Sequence, residues 1–244
     1  MEKLPKRLRA VASVVPPCKT AADIGTDHGL LAVYLIQSGI ASRVVASDIN
    51  PGPYQKAKAR ICISGLEDFI DVRLGNGLNV LQPGEAEVII ISGLGGYTIV
   101  EILNEGQAVL KEADVLVLNP VTHQSEVRHW LKENGWKLSD EELVEDQGRL
   151  YQVIAACPDR GNESESWSQL EYDAGPLIIR KRHPLLKEYL RRKLKKYERA
   201  VDNLKKSPSP LSVQKRKKLM SSVAEIKTLL ASLPGVQEEG NDNL

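Results

Sequence analysis

Acidic side chains and glycines stand together where the first strand-like run of the chain gives way to a helical stretch. The segment Ala22-Asp23-Ile24-Gly25-Thr26-Asp27-His28-Gly29 follows an apolar run, and Asp48 ends the next such run. In a doubly wound sheet, ligands bind at the carboxyl ends of parallel strands. Glycine lets backbone approach a ligand closely, and a carboxylate placed like Asp48 accepts hydrogen bonds from ribose hydroxyls. The pattern therefore predicts a site for a dinucleotide or for S-adenosylmethionine.

Charge and glycine spacing favour S-adenosylmethionine over a dinucleotide. The chain has no G-x-G-x-x-G segment, which is the fingerprint of a pyrophosphate-binding turn. Asp23 and Asp27 would repel a diphosphate, whereas they would attract the amino group and sulfonium of S-adenosylmethionine. The alternative is that both carboxylates only cap the helix and brace the loop. The predicted cofactor-binding residues are Asp23, Gly25, Thr26, Asp27, His28, Asp48, Ile49, Asn76, Gly77 and Ser92.

Three further strand ends carry polar or glycine-rich turns. Asn76 lies between two glycines and can accept from an adenine amino group, although an ordinary turn has the same composition. The segment Ser92-Gly93-Leu94-Gly95-Gly96-Tyr97 has three glycines, which indicates close ligand approach. Its Tyr97 is suited either to stacking on a base or to packing against the sheet. The predicted substrate-side residues are Gly93, Leu94, Gly95, Tyr97, Asn119 and Pro120.

Other kinds of site are not indicated. The histidines His28, His123 and His129 are isolated from one another and from carboxylate clusters with ligand spacing, so no metal site is predicted. The three cysteines lie far apart without a C-x-x-C pair, which argues against disulfides and zinc and favours a reduced, cytoplasmic setting. No apolar run is long enough for a signal peptide or a membrane span.

Strand and helix patterns alternate through the first two thirds of the chain. The runs at 88–91 and 115–118 are continuously apolar, as parallel strands covered on both faces should be. Five units, each of one strand and one helix, are followed by a hairpin pattern over 136–156. This order predicts an α/β fold with a doubly wound, Rossmann-like sheet. The predicted boundaries are a ligand-binding domain over 1–158, a linker over 159–183, a helical hairpin over 184–234 and a flexible tail over 235–244.

The predicted hairpin is an antiparallel coiled coil with a basic surface. Two runs of apolar residues spaced four and three apart flank Ser207-Pro208-Ser209-Pro210. Residues 1–179 hold 16 Lys and Arg against 25 Asp and Glu, a net of −9, whereas residues 180–244 hold 17 against 7, a net of +10. This split predicts a polyanionic partner, although a basic face can also serve only solubility. The predicted RNA-binding residues are Arg180, Lys181, Arg182, Arg191, Arg192, Lys195, Lys196, Lys215, Arg216, Lys217 and Lys218.

Together these motifs resemble the bacterial TrmK family, the tRNA methyltransferases that act on N1 of adenosine 22. The similarity covers most of the chain, and the matching segments are Lys6-Arg7-Leu8, 22–29, Gly52-Pro53, 75–78, 93–96, Gly175-Pro176 and His183-Pro184. The resemblance implies a class I methyltransferase domain over 1–158 that uses S-adenosylmethionine. It also implies tRNA as the partner and methyl transfer to an adenine N1, at adenosine 22.

Departures from the family pattern keep two other functions open. Asn76 stands where the family has Asp, and Asn119-Pro120-Val121 stands where it has Gln-Pro-Asn. One alternative is a methyltransferase of another RNA, a small molecule or a protein, with the hairpin as a dimer arm. The other is a non-catalytic RNA-binding scaffold with a vestigial cofactor site.

Overall fold

A computed structural model describes residues 4–161, 166–205 and 209–234. The chain forms two compact units, residues 1–166 and 167–244, and each is considered by itself. The predicted tail over 235–244 lies outside the described residues. No helix in the described ranges is both long and apolar enough to cross a lipid bilayer.

A seven-stranded sheet forms the centre of the first unit. The strand order is β3-β2-β1-β4-β5-β7-β6, with β1 to β5 parallel to one another and β7 antiparallel to both β5 and β6. This is the doubly wound sheet that the sequence predicts, because each apolar run pairs in parallel and the last two form a hairpin. The strands are β1 Cys18–Ile24, β2 Ala41–Asp48, β3 Ile70–Leu74, β4 Val88–Ser92, β5 Val115–Asn119, β6 Trp136–Asp146 and β7 Arg149–Pro158.

Helices cover both faces of this sheet. One apolar cluster includes Leu31, Leu35 and Ile61, and the other includes Leu103 and Leu131. The central strands contribute to both clusters, which explains why their sequences are apolar throughout. The helices are α1 Lys6–Ser13, α2 Leu30–Gln37, α3 Pro51–Ile63, α4 Gly96–Glu105, α5 Gln107–Leu110 and α6 Gln124–Glu133, with a short 3-10 helix at Gly77–Val80.

The apolar spacing over 97–111 predicts one continuous helix, but in the structure this helix is broken at Gly106. A Cβ atom at Gly106 would lie only 2.3 Å from Leu78 Cδ1, so the glycine lets the 3-10 helix pack against this corner. The residue ends α4 and precedes α5. The sequence prediction was wrong here because helical periodicity does not reveal a tertiary contact that only glycine allows.

The hairpin of β6 and β7 contains a buried ion pair. Arg128 Nε of α6 donates to Glu141 Oε1 of β6 at 2.6 Å, and both side chains are fully buried. Arg128 also donates to the Gln152 side-chain oxygen of β7 at 2.6 Å. Burial of an arginine is tolerated only when its donors are paired, so this contact fixes how α6 meets the hairpin.

Short helices occupy part of the segment predicted as a linker. The predicted linker over 159–183 instead contains α7 Gln169–Ala174 and α8 Pro176–Arg180, and both belong to the second unit. A capping box at Ser168 and Glu171 starts α7, and Pro176 lies at the start of α8. These local signals are weak in a polar stretch, so hydrophobic periodicity did not disclose them.

The second unit has the predicted helical hairpin. Its long helices are α9 Leu186–Lys205 and α10 Pro210–Ser232. Lys187 Nζ donates to the Pro234 oxygen at 3.0 Å, and Lys227 pairs with Glu198 at 2.9 Å, so the helices run antiparallel. Leu190 and Ile226 belong to the two apolar runs that predict the coiled coil, and both are fully buried.

Removing the buried arginine tests the role of the ion pair. We expect Arg128→Met to lower the free energy of unfolding by about 3–5 kcal/mol, because Glu141 is left buried without its partner. The measurement is urea denaturation of the full chain. The double variant Arg128→Met with Glu141→Leu should recover much of that loss. Equal losses in the single and double variants would contradict the account.

Candidate functional site

A cleft of about 520 Å³ opens at the carboxyl ends of the parallel strands in the first unit. The strand ends of β1, β2, β3 and β4, together with α1 and α4, supply its walls. The lining residues are Arg7, Leu8, Asp23, Ile24, Gly25, Thr26, Asp27, His28, Leu30, Leu31, Ser47, Asp48, Ile49, Asn50, Gly75, Asn76, Gly77, Ser92, Gly93, Leu94, Thr98, Glu101, Ile102 and Glu105.

The cleft brings together the residues predicted to bind the cofactor. All ten predicted cofactor residues line it, although they come from four separate strand ends. Gly93 and Leu94 of the predicted substrate-side set line it as well. The other members of that set, Gly95, Tyr97, Asn119 and Pro120, are not among the lining residues.

Two buried carboxylates are the strongest electrostatic feature of the cleft. Asp23 and Asp48 end neighbouring strands and are 3% and 8% exposed. Burial raises the pKa of Asp23 to about 6; the hydrogen bond from Thr26 opposes this rise, and the charge of Asp48 adds to it. Thr26 Oγ1 donates to Asp23 Oδ2 at 2.6 Å, and the Asn50 backbone donates to Asp48 Oδ1 at 2.8 Å. Such a pair favours a cationic ligand, because a positive charge relieves both the burial and the repulsion.

The loop after β1 is shaped by positive backbone φ angles. Gly25 has a φ of 76° and Asp27 a φ of 53°. The backbone N–H groups of Gly25 and Thr26 both donate to the Ser47 carbonyl at 2.8 Å. A Cβ atom at Gly25 would contact only Leu94, at 3.8 Å, so this loop borders open space rather than packed protein. Asp27 and His28 therefore lie at a cleft edge, with their side chains 3.5 Å apart.

Helix α4 contributes a cleft wall that the sequence analysis missed. Thr98, Glu101, Ile102 and Glu105 all line the cleft. Their spacing of three, one and three residues places them on one helical face, which is the signal that could have found them. Asn76 Nδ2 donates to Glu105 Oε2 at 3.3 Å, so this wall also orients the predicted adenine-binding amide.

The glycines after β4 serve contacts within the protein. A Cβ atom at Gly96 would lie 2.2 Å from the His123 carbonyl oxygen, and one at Gly93 would lie 3.1 Å from the Arg7 guanidinium. Backbone hydrogen bonds from Gly96 to Thr122 and from Val121 to Leu94 tie this corner to the segment after β5. The sequence interpretation of three glycines as ligand contacts is therefore corrected for Gly96, where neighbouring backbone leaves no room for a side chain.

Asn119 is buried behind the cleft. Its side chain is fully buried, and Nδ2 donates to the Gln152 carbonyl at 2.7 Å. Its Oδ1 accepts from Arg7 at 2.9 Å and from Ser92 Oγ at 3.2 Å. The expectation that Asn119 holds a base edge is corrected, because in this structure its amide holds Arg7 and the hairpin. Pro120, which follows it, is also buried.

Tyr97 lies at the surface beside His123. It is 54% exposed, and the two ring centroids are 4.4 Å apart with an angle of 39° between the planes. Packing against the sheet, one of the two expectations for Tyr97, is therefore wrong. The stacking role stays a prediction, now with His123 as a neighbour.

Comparisons with known proteins identify the family. The profile of the TrmK family, described as tRNA (adenine(22)-N(1))-methyltransferase, matches residues 21–228. That range covers most of the chain, including every cleft-lining residue except Arg7 and Leu8, the whole of α9 and all but the last turn of α10. The chain belongs to the TrmK family.

Relatives and solved structures agree with this assignment. The tRNA (adenine(22)-N(1))-methyltransferase of Bacillus subtilis is 38% identical over 176 residues, covering 72% of this chain and 73% of that protein. The crystal structure of B. subtilis TrmK superposes with a TM-score of 0.86 at 31% identity, covering 94% of this chain and all of that one. A Streptococcus pneumoniae protein solved with S-adenosyl-L-methionine gives a TM-score of 0.82 at 28% identity, covering 93% and 100% of the two chains. This TrmK protein is thus a tRNA adenine-N1 methyltransferase that uses S-adenosylmethionine.

We expect cofactor binding by this TrmK protein to depend on pH, because Asp23, the predicted partner of the cofactor's amino group, has a raised pKa. Binding of an amino group requires the carboxylate, and half of Asp23 is protonated near pH 6. We expect the Kd for S-adenosylmethionine, measured by calorimetry, to rise as pH falls through 6 and to approach a tenfold rise per unit below it. Asp23→Asn should bind more weakly at pH 7 and lack this step. Any contribution of His28 persists in the variant, so the difference reports Asp23 alone.

The same variant carries a control for folding. Since folding raises the pKa of Asp23 from 3.8 to about 6, stability of the ligand-free protein falls as pH rises through that interval. Asp23→Asn should therefore be the more stable protein at pH 7, by on the order of 2 kcal/mol. A variant that is less stable and retains the pH step would refute the electrostatic account.

Proposed function

We propose that the cleft of the first unit holds S-adenosylmethionine with its charges and hydroxyls matched to named side chains. Asp23 faces the amino group, Asp48 accepts from the ribose hydroxyls, and Asn76 Oδ1 accepts from the adenine amino group. The observation that carries this assignment is the buried carboxylate pair Asp23 and Asp48 in a cleft of about 520 Å³.

A buried hydroxyl without a partner supports the fit. Among the described residues, Ser47 Oγ is buried and has no hydrogen-bond partner, and Ser47 lines the cleft. Buried polar atoms are usually satisfied, so an unpaired one beside a cleft indicates a missing ligand or water. Ile49 is 58% exposed at the same edge, which suits an apolar contact to an adenine face.

The chemistry places few demands on acid–base groups of the chain. When bound, S-adenosylmethionine supplies a methyl group on a positively charged sulfur. Adenine N1 has a free lone pair at neutral pH, so no side chain has to remove a proton before the attack. The chain contributes by positioning the reactants and by the field of its carboxylates. Asp23 and Asp48 orient the donor end, while the corner after β4 orients the base.

The target adenine has to leave any stacked or paired position to reach the cleft. Unstacking costs a few kcal/mol, and stacking on an aromatic ring returns about 1–3 kcal/mol. Tyr97 and His123 form an exposed aromatic pair next to the corner Gly93–Gly95, which also contributes cleft residues. This pair is suited to receive the base or its neighbour. Asn119 contacts the same corner from the buried side, because its side chain accepts from Arg7 and its carbonyl accepts from the Gly93 backbone. Pro120 follows it in the chain.

The second unit offers a cationic surface for the RNA backbone. Ten of the eleven predicted RNA-binding residues are exposed, and Arg216 is partly buried. Arg192, Lys195, Lys196 and Arg199 of α9 line one shallow depression of about 400 Å³. Arg199 was not among the predicted residues, although it continues their helical spacing. Side chains of this kind bind phosphates and hold the tRNA without reading its bases.

A methylation assay tests the proposed site and the reaction together. We expect the protein to transfer labelled methyl from S-adenosylmethionine to N1 of adenosine 22, mapped by mass spectrometry of digested tRNA, and to lose activity on a tRNA with guanosine at that position. Asp48→Ala should abolish cofactor binding and transfer, whereas Asp68→Ala, which changes an exposed carboxylate outside the cleft, should leave both intact. Methylation of a small molecule or protein, or of no substrate, would overturn the proposal.

Charge removal on α9 tests the RNA surface. We expect Lys195→Gln with Lys196→Gln to raise the KM for tRNA and to reduce the slope of log affinity against log salt by about 0.7–0.9 for each phosphate that the variant no longer neutralises. The Kd for S-adenosylmethionine should not change. The matched control is Lys111→Gln with Lys137→Gln, two exposed lysines of the first unit that do not line the cleft. Equal effects of both pairs would show that net charge alone matters.

A further inference from the structure

Arg7 of helix α1 enters the cleft on the side of β4 and β5. It lines the cleft next to Ser92, Gly93 and Leu94. Its Nη1 donates to Asn119 Oδ1 at 2.9 Å and to Ser92 Oγ at 3.2 Å. Asp23 and Asp48 end β1 and β2, and β4 and β5 follow on the other side of β1. Arg7 therefore lies toward the substrate half of the cleft rather than the ribose end.

Within the part of the chain that the structure describes, no carboxylate forms an ion pair with the Arg7 side chain. In the described ranges, its side chain contacts the neutral groups of Asn119 and Ser92 and the ring of Tyr151, whose centroid is 5.6 Å from the guanidinium carbon. Its backbone N–H, by contrast, donates to Asp146 at 3.2 Å. An arginine held in one place by neutral acceptors keeps its charge and its remaining donors for a ligand.

The rest of the cleft is acidic. The described lining residues include five carboxylates, at Asp23, Asp27, Asp48, Glu101 and Glu105, and Arg7 is the one lysine or arginine among them. A nucleotide that enters this cleft brings its phosphates into a negative field. At the distances of a narrow cleft, that repulsion is only weakly screened by salt. A fixed cation on the substrate side offsets it at one point.

Several residues hold Arg7 in this position. The Asn119 amide is fixed from behind by the Gln152 carbonyl at 2.7 Å, and Tyr151 of the same strand lies under the guanidinium. Gly93 has a φ of 85°, and a Cβ atom at this position would lie only 3.1 Å from Arg7 Nη1. The glycine therefore leaves room for the guanidinium. Three separate segments of the chain thus converge on one side chain, which is the arrangement expected of a preorganised binding group.

We infer that Arg7 binds a backbone phosphate of the RNA next to the adenosine that is methylated. This inference rests on the proposed function, since it takes tRNA as the substrate of this cleft. A phosphate is a better partner than the base, because adenine gains positive charge as N1 is methylated and a guanidinium at the ring would oppose the reaction. Arginine matches the geometry of a phosphate through paired N–H donors. Asn119, Ser92 and Tyr151 are positioning residues for this contact.

The carboxylate of S-adenosylmethionine is the competing anion, and the experiment separates the two. The variants are Arg7→Met, which removes the charge, Arg7→Lys, which keeps it, and the control Arg9→Met, an exposed arginine on the same helix outside the cleft. The ligands are S-adenosylhomocysteine and methylthioadenosine, which lacks the amino-acid part. The substrates are tRNAs carrying a single neutral methylphosphonate at the phosphate on the 5′ or the 3′ side of adenosine 22.

We expect the loss of the Arg7 charge and the loss of one phosphate charge to have effects on tRNA binding that are not additive. Arg7→Met should raise the KM for tRNA roughly 10- to 100-fold, as expected for loss of a hydrogen bond between charged groups, with Arg7→Lys in between and Arg9→Met unchanged. A methylphosphonate at one of the two positions should raise the KM of the wild-type protein for tRNA by a similar factor. The same substitution should not raise the KM of Arg7→Met any further. The affinities for both cofactor analogues should stay within about twofold of wild type.

Two results would overturn the inference. Weaker binding of S-adenosylhomocysteine by Arg7→Met, with methylthioadenosine unaffected, would assign Arg7 to the cofactor carboxylate. Equal methylphosphonate effects in wild type and Arg7→Met would show that Arg7 touches neither phosphate. Both results presuppose that the wild-type protein methylates adenosine 22. Failure of that reaction would instead overturn the proposed function.

Discussion

The burial of two neighbouring carboxylates sets the electrostatics of the cleft. Asp23 and Asp48 end adjacent parallel strands, so the topology of the sheet forces them to the same edge, and both are almost fully buried. Burial is the main reason why the pKa of Asp23 rises to about 6, and the charge of Asp48 adds to the penalty for ionising it. A cationic ligand removes this penalty and is therefore bound in preference to a neutral one.

A chain of buried polar groups links the outer hairpin to this cleft. Glu141 holds Arg128, Arg128 holds the Gln152 side chain, and the Gln152 carbonyl holds Asn119, which in turn holds Arg7. Each link satisfies a group that would be costly to bury unpaired. The antiparallel strands thus do more than close the sheet. They determine where a cation on an N-terminal helix meets the substrate side of the cleft.

That the predicted cofactor-binding residues line one cleft could be predicted from the sequence, whereas the contacts of Asn119 could not. Asp23, Gly25, Asp48 and Asn76 lie at or just beyond the carboxyl ends of strands, and parallel strands bring these ends to one edge of the sheet whatever the details of packing. Asn119 also follows a strand, yet its amide faces inward, because a distant carbonyl in β7 and an arginine in α1 compete for it. Strand periodicity does not contain such contacts between segments that lie far apart in the chain. The sequence also missed the two short helices within the predicted linker over 159–183, since short helices depend on caps and packing more than on hydrophobic spacing.

Opposite charges on the two units separate the tasks of binding a cation and binding a polyanion. Residues 1–166 hold 16 Lys and Arg against 23 Asp and Glu, a net charge of −7, so the first unit repels RNA at long range. The exposed lysines and arginines of residues 180–244 supply the attraction that such a unit cannot supply itself. Long-range attraction alone would hold the tRNA without bringing a nucleotide into an acidic cleft. A single fixed guanidinium offsets this repulsion locally, and it lies on the side of β4 and β5, whereas Asp48 ends β2.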